Sequence, residues 1–167
     1  MTTDITWPER YTPGTTDNFV SNEVIVAGLT AADVWPLLID TRVWPTYYDN
    51  VSDIDVPGDV LTEGLRFSFA TFGFPPLQAE VLDAAAPTSD SAGRLGWRAW
   101  QDGDAETALD VYHAWIVEDL PGDRVRILTQ ESQVGKPAAD LAGQRPNPML
   151  NGHQDWLDGI VRAARSV

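Results

Sequence analysis

Hydrophobic and polar positions alternate with period two through most of this chain. Residues 19–27 set Val20, Val24 and Val26 against Ser21 and Glu23, the pattern of a half-buried strand. Similar runs occupy 51–56, 65–71, 77–84, 95–101, 109–118 and 125–133. Turn chemistry follows them: Pro57-Gly58, Phe72-Gly73-Phe74-Pro75-Pro76, a Pro/Ser/Asp/Gly loop at 87–93, Asp102-Gly103-Asp104, Pro121-Gly122-Asp123 and Gly135. Seven strands joined mostly by short turns predict an antiparallel meander. Two short helices interrupt it after the first strand. Thr30 with Asp33 reads as a capping box with Asp in place of Glu, and Pro36 keeps the helix that follows short or kinked. A second helical stretch at 42–48 carries Trp44, Tyr47 and Tyr48. From Met149 the period changes to that of a long helix, with Leu150, His153, Leu157, Ile160, Val161 and Ala164 on one stripe and Pro148 at its entry. Trp156, on the flank of that stripe, is expected to anchor the helix to the sheet or the short helices. Residues 1–17 carry Pro8, Pro13 and Gly14 without periodicity. They form an irregular arm that either packs on the body through Trp7 and Tyr11 or trails as a disordered tail. Residues 18–167 form a single domain.

Strand parity decides which face is covered. In the hairpin around Leu120 and Pro121, one parity holds Val111, His113, Trp115 and Val117 facing Val125, Ile127, Thr129 and Glu131. The register expected from a tight turn pairs His113 with Thr129 and Val111 with Glu131. The other parity holds Asp110, Tyr112, Glu118, Arg124, Arg126 and Gln130, so it is expected to meet water. Leu95, Trp97 and Ala99, then Phe67, Phe69, Leu77, Ala79 and Val81, extend the inward wall. Both histidines of the chain, His113 and His153, fall on the covered side together with Glu131.

Composition narrows the function classes. The 167 residues are 43% hydrophobic and 22% charged, those of one ordinary globular domain. Cysteine is absent, which excludes disulfides, thiolate metal sites, iron–sulfur clusters and cysteine catalysis. Lys+Arg 11 against Asp+Glu 25 gives −14, and Lys136 is the only lysine. That field repels a phosphate backbone, so nucleic acid and membrane insertion are not expected. With no secretory signal and no apolar run near the ~20 residues of a membrane helix, a soluble, cytoplasmic protein is expected.

The segment Val26-Ala27-Gly28-Leu29-Thr30-Ala31-Ala32-Asp33-Val34-Trp35, the later Trp44-Pro45, and His113-Ala114-Trp115 with Leu120-Pro121-Gly122 resemble the SRPBCC or START-like superfamily. Its members include birch-pollen-allergen-like proteins and polyketide cyclases/dehydrases. The resemblance spans residues 18–165. It implies an α+β helix-grip fold: a curved seven-stranded antiparallel sheet, two short helices, and a long C-terminal helix over an apolar cavity. The superfamily's ring-hydroxylating oxygenase subunits carry iron ligands and an iron–sulfur domain that find no match here.

Such a cavity takes a small hydrophobic or amphipathic molecule. The residues expected to line it are Phe67, Phe69, Trp97, Val111, His113, Trp115, Thr129, Leu150, His153 and Leu157; the plain alternative is that they only fill the core. His113 is a candidate general acid or base, with Glu131 to orient it. The alternative is a neutral buried histidine bonded to Thr129. Two histidines and a glutamate also spell a three-ligand metal set, but no ligand-spaced motif accompanies them, so no metal is expected. Nucleophile elbows, phosphate loops and dinucleotide fingerprints are missing, and no cofactor is expected. Carriage of a hydrophobic molecule leads. A cyclase using His113 and Glu131 for proton transfer comes second, and an interaction module using an outer face with Trp100 and Tyr112 third. The sequence leaves the oligomeric state open.

Overall fold

The computed structural model describes residues 1–167. Seven strands form one antiparallel sheet: β1 (Asn18–Ala27), β2 (Val51–Asp55), β3 (Arg66–Thr71), β4 (Leu77–Ala85), β5 (Gly93–Gln101), β6 (Leu109–Leu120) and β7 (Arg124–Val134). Their order is β1-β7-β6-β5-β4-β3-β2. Only the β1–β7 pairing is non-sequential, and the chain reaches it by placing two short helices, α1 (Ala31–Ile39) and α2 (Trp44–Tyr47), between β1 and β2. Two further helices end the chain, α3 (Lys136–Ala142) and α4 (Pro148–Arg165). The α+β helix-grip architecture is the one expected. No helix is long and apolar enough to cross a membrane.

Local chemistry explains the helix ends. Thr30 and Asp33 form the capping box: Thr30 Oγ1 accepts from the Asp33 amide at 3.3 Å, and Asp33 Oδ2 accepts from the Thr30 amide at 2.8 Å. Asn147 caps α4, its Oδ1 accepting from the amides of Met149 and Leu150 at 3.0 and 3.4 Å. Trp44 Nε1 donates to Leu38 O at 2.9 Å and Tyr47 Oη to Leu37 O at 2.8 Å, which ties α2 to α1. Trp156 anchors α4 as expected, stacking on Tyr48 at 4.5 Å and meeting Trp44 and Trp115 edge-on, both at 5.1 Å. A side chain at position 159 would collide with the Tyr47 carbonyl, so Gly159 is what allows α4 to approach α2 this closely.

Four expectations change. The β6–β7 register pairs His113 with Glu131, Trp115 with Thr129 and Val111 with Gln133, two residues from the register expected. The turn needs Pro121, Gly122 and Asp123 between Leu120 and Arg124, with Gly122 and Asp123 both at positive φ. Parity, and hence the inward face, is unaffected because the shift is even. Second, much of the outer face of β6 and β7 is covered: Asp110, Tyr112, Glu118 and Arg126 are buried, while Arg124 is exposed and Gln130 half-buried. Residues 1–17 lie across it. Tyr11 Oη and Arg10 Nε donate to Asp110 at 2.7 and 2.8 Å, and Arg126 Nη1 donates to Thr3 O at 2.8 Å. Tyr11 also stacks on Tyr112 at 5.7 Å, while Trp7 packs edge-on to the same ring. This covers Tyr112 of the outer patch considered for partner binding. Third, α3 is not among the helices expected, because a seven-residue helix opening on Gly135, Lys136 and Pro137 shows too little periodicity. Fourth, aromatic rings crowd the space under α4. The rings of Trp44, Trp97, Trp115 and Trp156 meet there at 5.1–6.3 Å. Surface grooves of about 560 and 550 Å³ lie instead beside β1 and at the α1–α4 rim, and no expected lining residue borders either.

Candidate functional site

Within this aromatic interior lies one polar island. β6 contributes His113, β7 contributes Thr129, Glu131 and Gln133 on alternate positions, and α4 contributes His153 from above. Every one of these side chains belongs to a residue at most 5% exposed. His113 Nδ1 lies 3.2 Å from Glu131 Oε2, and His153 Nε2 lies 3.1 Å from the same oxygen. The two imidazoles stack, with centroids 4.4 Å apart and planes inclined by 17°. On its far side, His113 Nε2 sits 2.7 Å from Thr129 Oγ1, which also reaches the Ala114 carbonyl at 3.3 Å. His113 thus does both things the sequence suggested, bonding Thr129 and pairing with Glu131.

A relay that sequence reasoning missed holds the other carboxylate oxygen. Gln133 Nε2 donates to Glu131 Oε1 at 2.7 Å, Asn18 Nδ2 donates to Gln133 Oε1 at 2.7 Å, and Asn147 Nδ2 donates to Asn18 Oδ1 at 3.3 Å. Four side chains therefore run in one donor direction from the cap of α4 to the carboxylate. The only available signal was the parity of Gln133 with Glu131 along β7.

Burial alone would raise the Glu131 carboxyl, but His113, His153 and Gln133 together outweigh it and hold it below the usual carboxylate range. His113 is driven well below the ordinary histidine value, first by burial and then by His153, with Glu131 opposing. The island therefore sets a buried carboxyl between two imidazoles, with no arginine or lysine paired to it. Two ring atoms nearby have no hydrogen-bond partner although buried: His153 Nδ1 and Trp115 Nε1. Trp115 stacks on His113 at 5.2 Å, so both lie in one contiguous group of rings.

The β3–β4 loop closes the α4 end of this group. Phe72 sits edge-on to His153 at 6.1 Å. Its backbone is at φ 54°, a region costly for a bulky residue, and Asn50 Oδ1 secures it by accepting from the Phe72 amide at 3.0 Å. The ring occupies the volume a side chain at position 152 would need, which is the close approach Gly152 permits.

Of the residues expected at the site, Trp97, His113, Trp115, Thr129 and His153 converge here, with Glu131 among them. Phe67 and Phe69 stack on each other at 5.6 Å and meet Trp97 further along the wall. Val111 and Leu157 belong to the packed core. Leu150 does not belong to the site: it is 41% exposed. The buried stripe of α4 runs through Met149, Gly152, His153, Trp156, Ile160 and Ala164, which puts Leu150 on the helix's outer edge. His113, Glu131 and His153 come from three separate elements and offer ligand atoms within 4.8 Å of one another, a grouping that no ligand-spaced motif marks in the sequence.

A scan against protein-family models and a search of curated proteins find no match. Solved structures do match. A hypothetical protein from Helicobacter pylori is 48% identical, with a TM-score of 0.92, over 98% of each chain. Norcoclaurine synthase from Thalictrum flavum, in complex with dopamine and hydroxybenzaldehyde, is 11% identical with a TM-score of 0.65, over 99% of this chain and 98% of that one. A Mesorhizobium loti protein is 12% identical at a TM-score of 0.63, over 86% and 93%. The last two likenesses are of fold alone, that of the helix-grip architecture. Identity of nearly one half along both whole chains goes further: this protein belongs to one family with the Helicobacter pylori protein, on the helix-grip fold.

Proposed function

We propose that the protein binds a small, mostly apolar molecule between its sheet and α4, oriented by the polar island. The observation that carries this reading is the pair of unpartnered buried atoms, His153 Nδ1 and Trp115 Nε1, beside the buried Glu131 carboxyl. A core built only for packing has no use for them, since each unsatisfied buried polar group costs about 1–3 kcal/mol. Unpartnered ring nitrogens on His153 and Trp115, in one contiguous group of rings, suit a ligand with a hydroxyl or carbonyl group on an apolar frame. Entry requires the rings to part, and Phe72, held on a strained backbone at the α4 end, is the ring placed to move.

The test is a thermal-shift panel of phenolic amphiphiles and fatty acids, with native mass spectrometry of the freshly purified chain. The expected result is a bound mass, or a compound that raises the melting temperature and quenches tryptophan fluorescence. The absence of both a co-purifying mass and any stabilising compound would sink the proposal. A second reading, proton transfer of the polyketide-cyclase kind, draws on the His–Glu–His arrangement. Both ring nitrogens of His113 are engaged, so His153, with Nδ1 unoccupied and Glu131 behind Nε2, is better placed than His113 to exchange a proton with substrate. Conversion of a bound compound, lost in His153→Gln with binding retained, would favour that reading.

A further inference from the structure

We propose that His113, Glu131 and His153 form a binding site for one divalent first-row transition ion. The inference goes beyond the binding of an organic molecule and does not depend on it. The donor set is two imidazoles and one carboxylate, borderline ligands that favour ions such as zinc or cobalt over magnesium or calcium. His113 Nδ1 and His153 Nε2 stand 3.2 and 3.1 Å from Glu131 Oε2. With bonds of about 2.0–2.1 Å, neighbouring ligand atoms lie about 2.9 Å apart in an octahedral set and about 3.3 Å in a tetrahedral one, so the two imidazole–carboxylate separations suit a shared ion. All three ligand atoms lie within 4.8 Å of one another, and the two imidazoles, stacked at 17°, must swing out of parallel for both nitrogens to reach the ion. The three side chains sit on β6, β7 and α4, elements fixed by the packing of the core.

The outer partners are those a metal site requires. With the ion on His113 Nδ1, the Nε2–H donates to Thr129 Oγ1 at 2.7 Å. Thr129 then needs an acceptor for its own proton, and the Ala114 carbonyl stands 3.3 Å away. Glu131 Oε1 is already held by Gln133, itself fixed by Asn18 and Asn147, which leaves Oε2 to the ion. No arginine or lysine neutralises the carboxylate. A cation does so directly. The low-dielectric rings of Trp97, Trp115 and Trp156 around the histidines strengthen that attraction.

The composition makes the test unusually clean: the chain has two histidines and no cysteine, so any imidazole coordination comes from this site. Untagged protein is unfolded in chelator and refolded with and without zinc, so that burial does not block entry. Bound zinc is counted by mass spectrometry of the metal, and the ring resonances of both histidines are followed by NMR. Expected are one zinc per chain and displacement of both sets of resonances, with cobalt giving visible bands from the same site. Glu131→Gln, its fold checked by thermal melt, should weaken zinc binding by more than the roughly 10–100-fold that loss of an outer partner costs. No zinc retained after refolding would overturn the proposal. So would zinc bound with either histidine unmoved, or a folded Glu131→Gln variant with unchanged affinity. Should that variant not fold, the resonances of the unsubstituted chain decide. No organic molecule is added, so this proposal and the one on ligand binding fail separately.

Discussion

At the scale of single residues, the polar island makes sense only as a unit. His113 holds Thr129 on one side and Glu131 on the other, and Glu131 in turn holds His153 and Gln133. From sequence alone, His113→Phe looks tolerable, since ring volume is roughly preserved. The observed contacts argue otherwise, because the change strips a buried hydroxyl and a buried carboxylate of one partner each. It should cost roughly 3 kcal/mol or more in chemical denaturation, the carboxylate contributing the larger part. Combining it with Glu131→Gln removes the charge, so the double variant should lose less than the sum of the two single changes. Simple additivity would mean that the two side chains are not coupled. Alternation along β6 and β7 made His113, Thr129 and Glu131 legible in the sequence, because parity survives a register error of two. The amide relay was not legible. Its members come from β1, β7 and the cap of α4, and three distant amides leave no spacing to read.

At the scale of elements, strands and the long helix announced themselves through periodicity, and Thr30 with Asp33 marked the start of α1. What escaped were features decided by tertiary contact. The 1–17 arm has no period of its own, yet it satisfies Asp110, Glu118 and Arg126, three charged residues that would otherwise have to face water. Leu150 was misassigned for a related reason. It shares a heptad step with Leu157, but capping by Asn147 and the Phe72 ring over Gly152 fix the first turn so that Met149 and His153 turn inward. Trp156 shows where sequence and structure agree most fully. It is 2% exposed, stacks on Tyr48, and joins α2, the sheet and α4 in one contact. Trp156→Ala should cost about 3–5 kcal/mol, as for other large aromatic truncations in a core. A loss under about 1 kcal/mol would place the ring outside the framework that holds the helix.

At the scale of the whole molecule, the charge imbalance is the property that no single contact expresses. Arg10, Arg98 and Arg126 are each committed to carboxylates on the outer face of the sheet, and Arg42 and Arg94 pair locally with Asp40 and Asp83. Lys136 is shared between Glu106 and Asp140. With 11 basic side chains against 25 acidic ones, most carboxylates have no such partner and repel one another across the surface. Folding brings these charges closer than they stand in the unfolded chain, so the repulsion is a cost of the compact state. Salt weakens it over distance: the screening length falls from about 30 Å at 0.01 M to about 10 Å at 0.1 M. The paired arginines are at contact distance, several of them partly buried, and are screened far less than the carboxylates that face one another across tens of ångströms. Added sodium chloride should therefore raise the melting temperature over this range, with most of the gain at the low end. A melting temperature that falls as salt is added would mean that the arginine pairs outweigh the net repulsion.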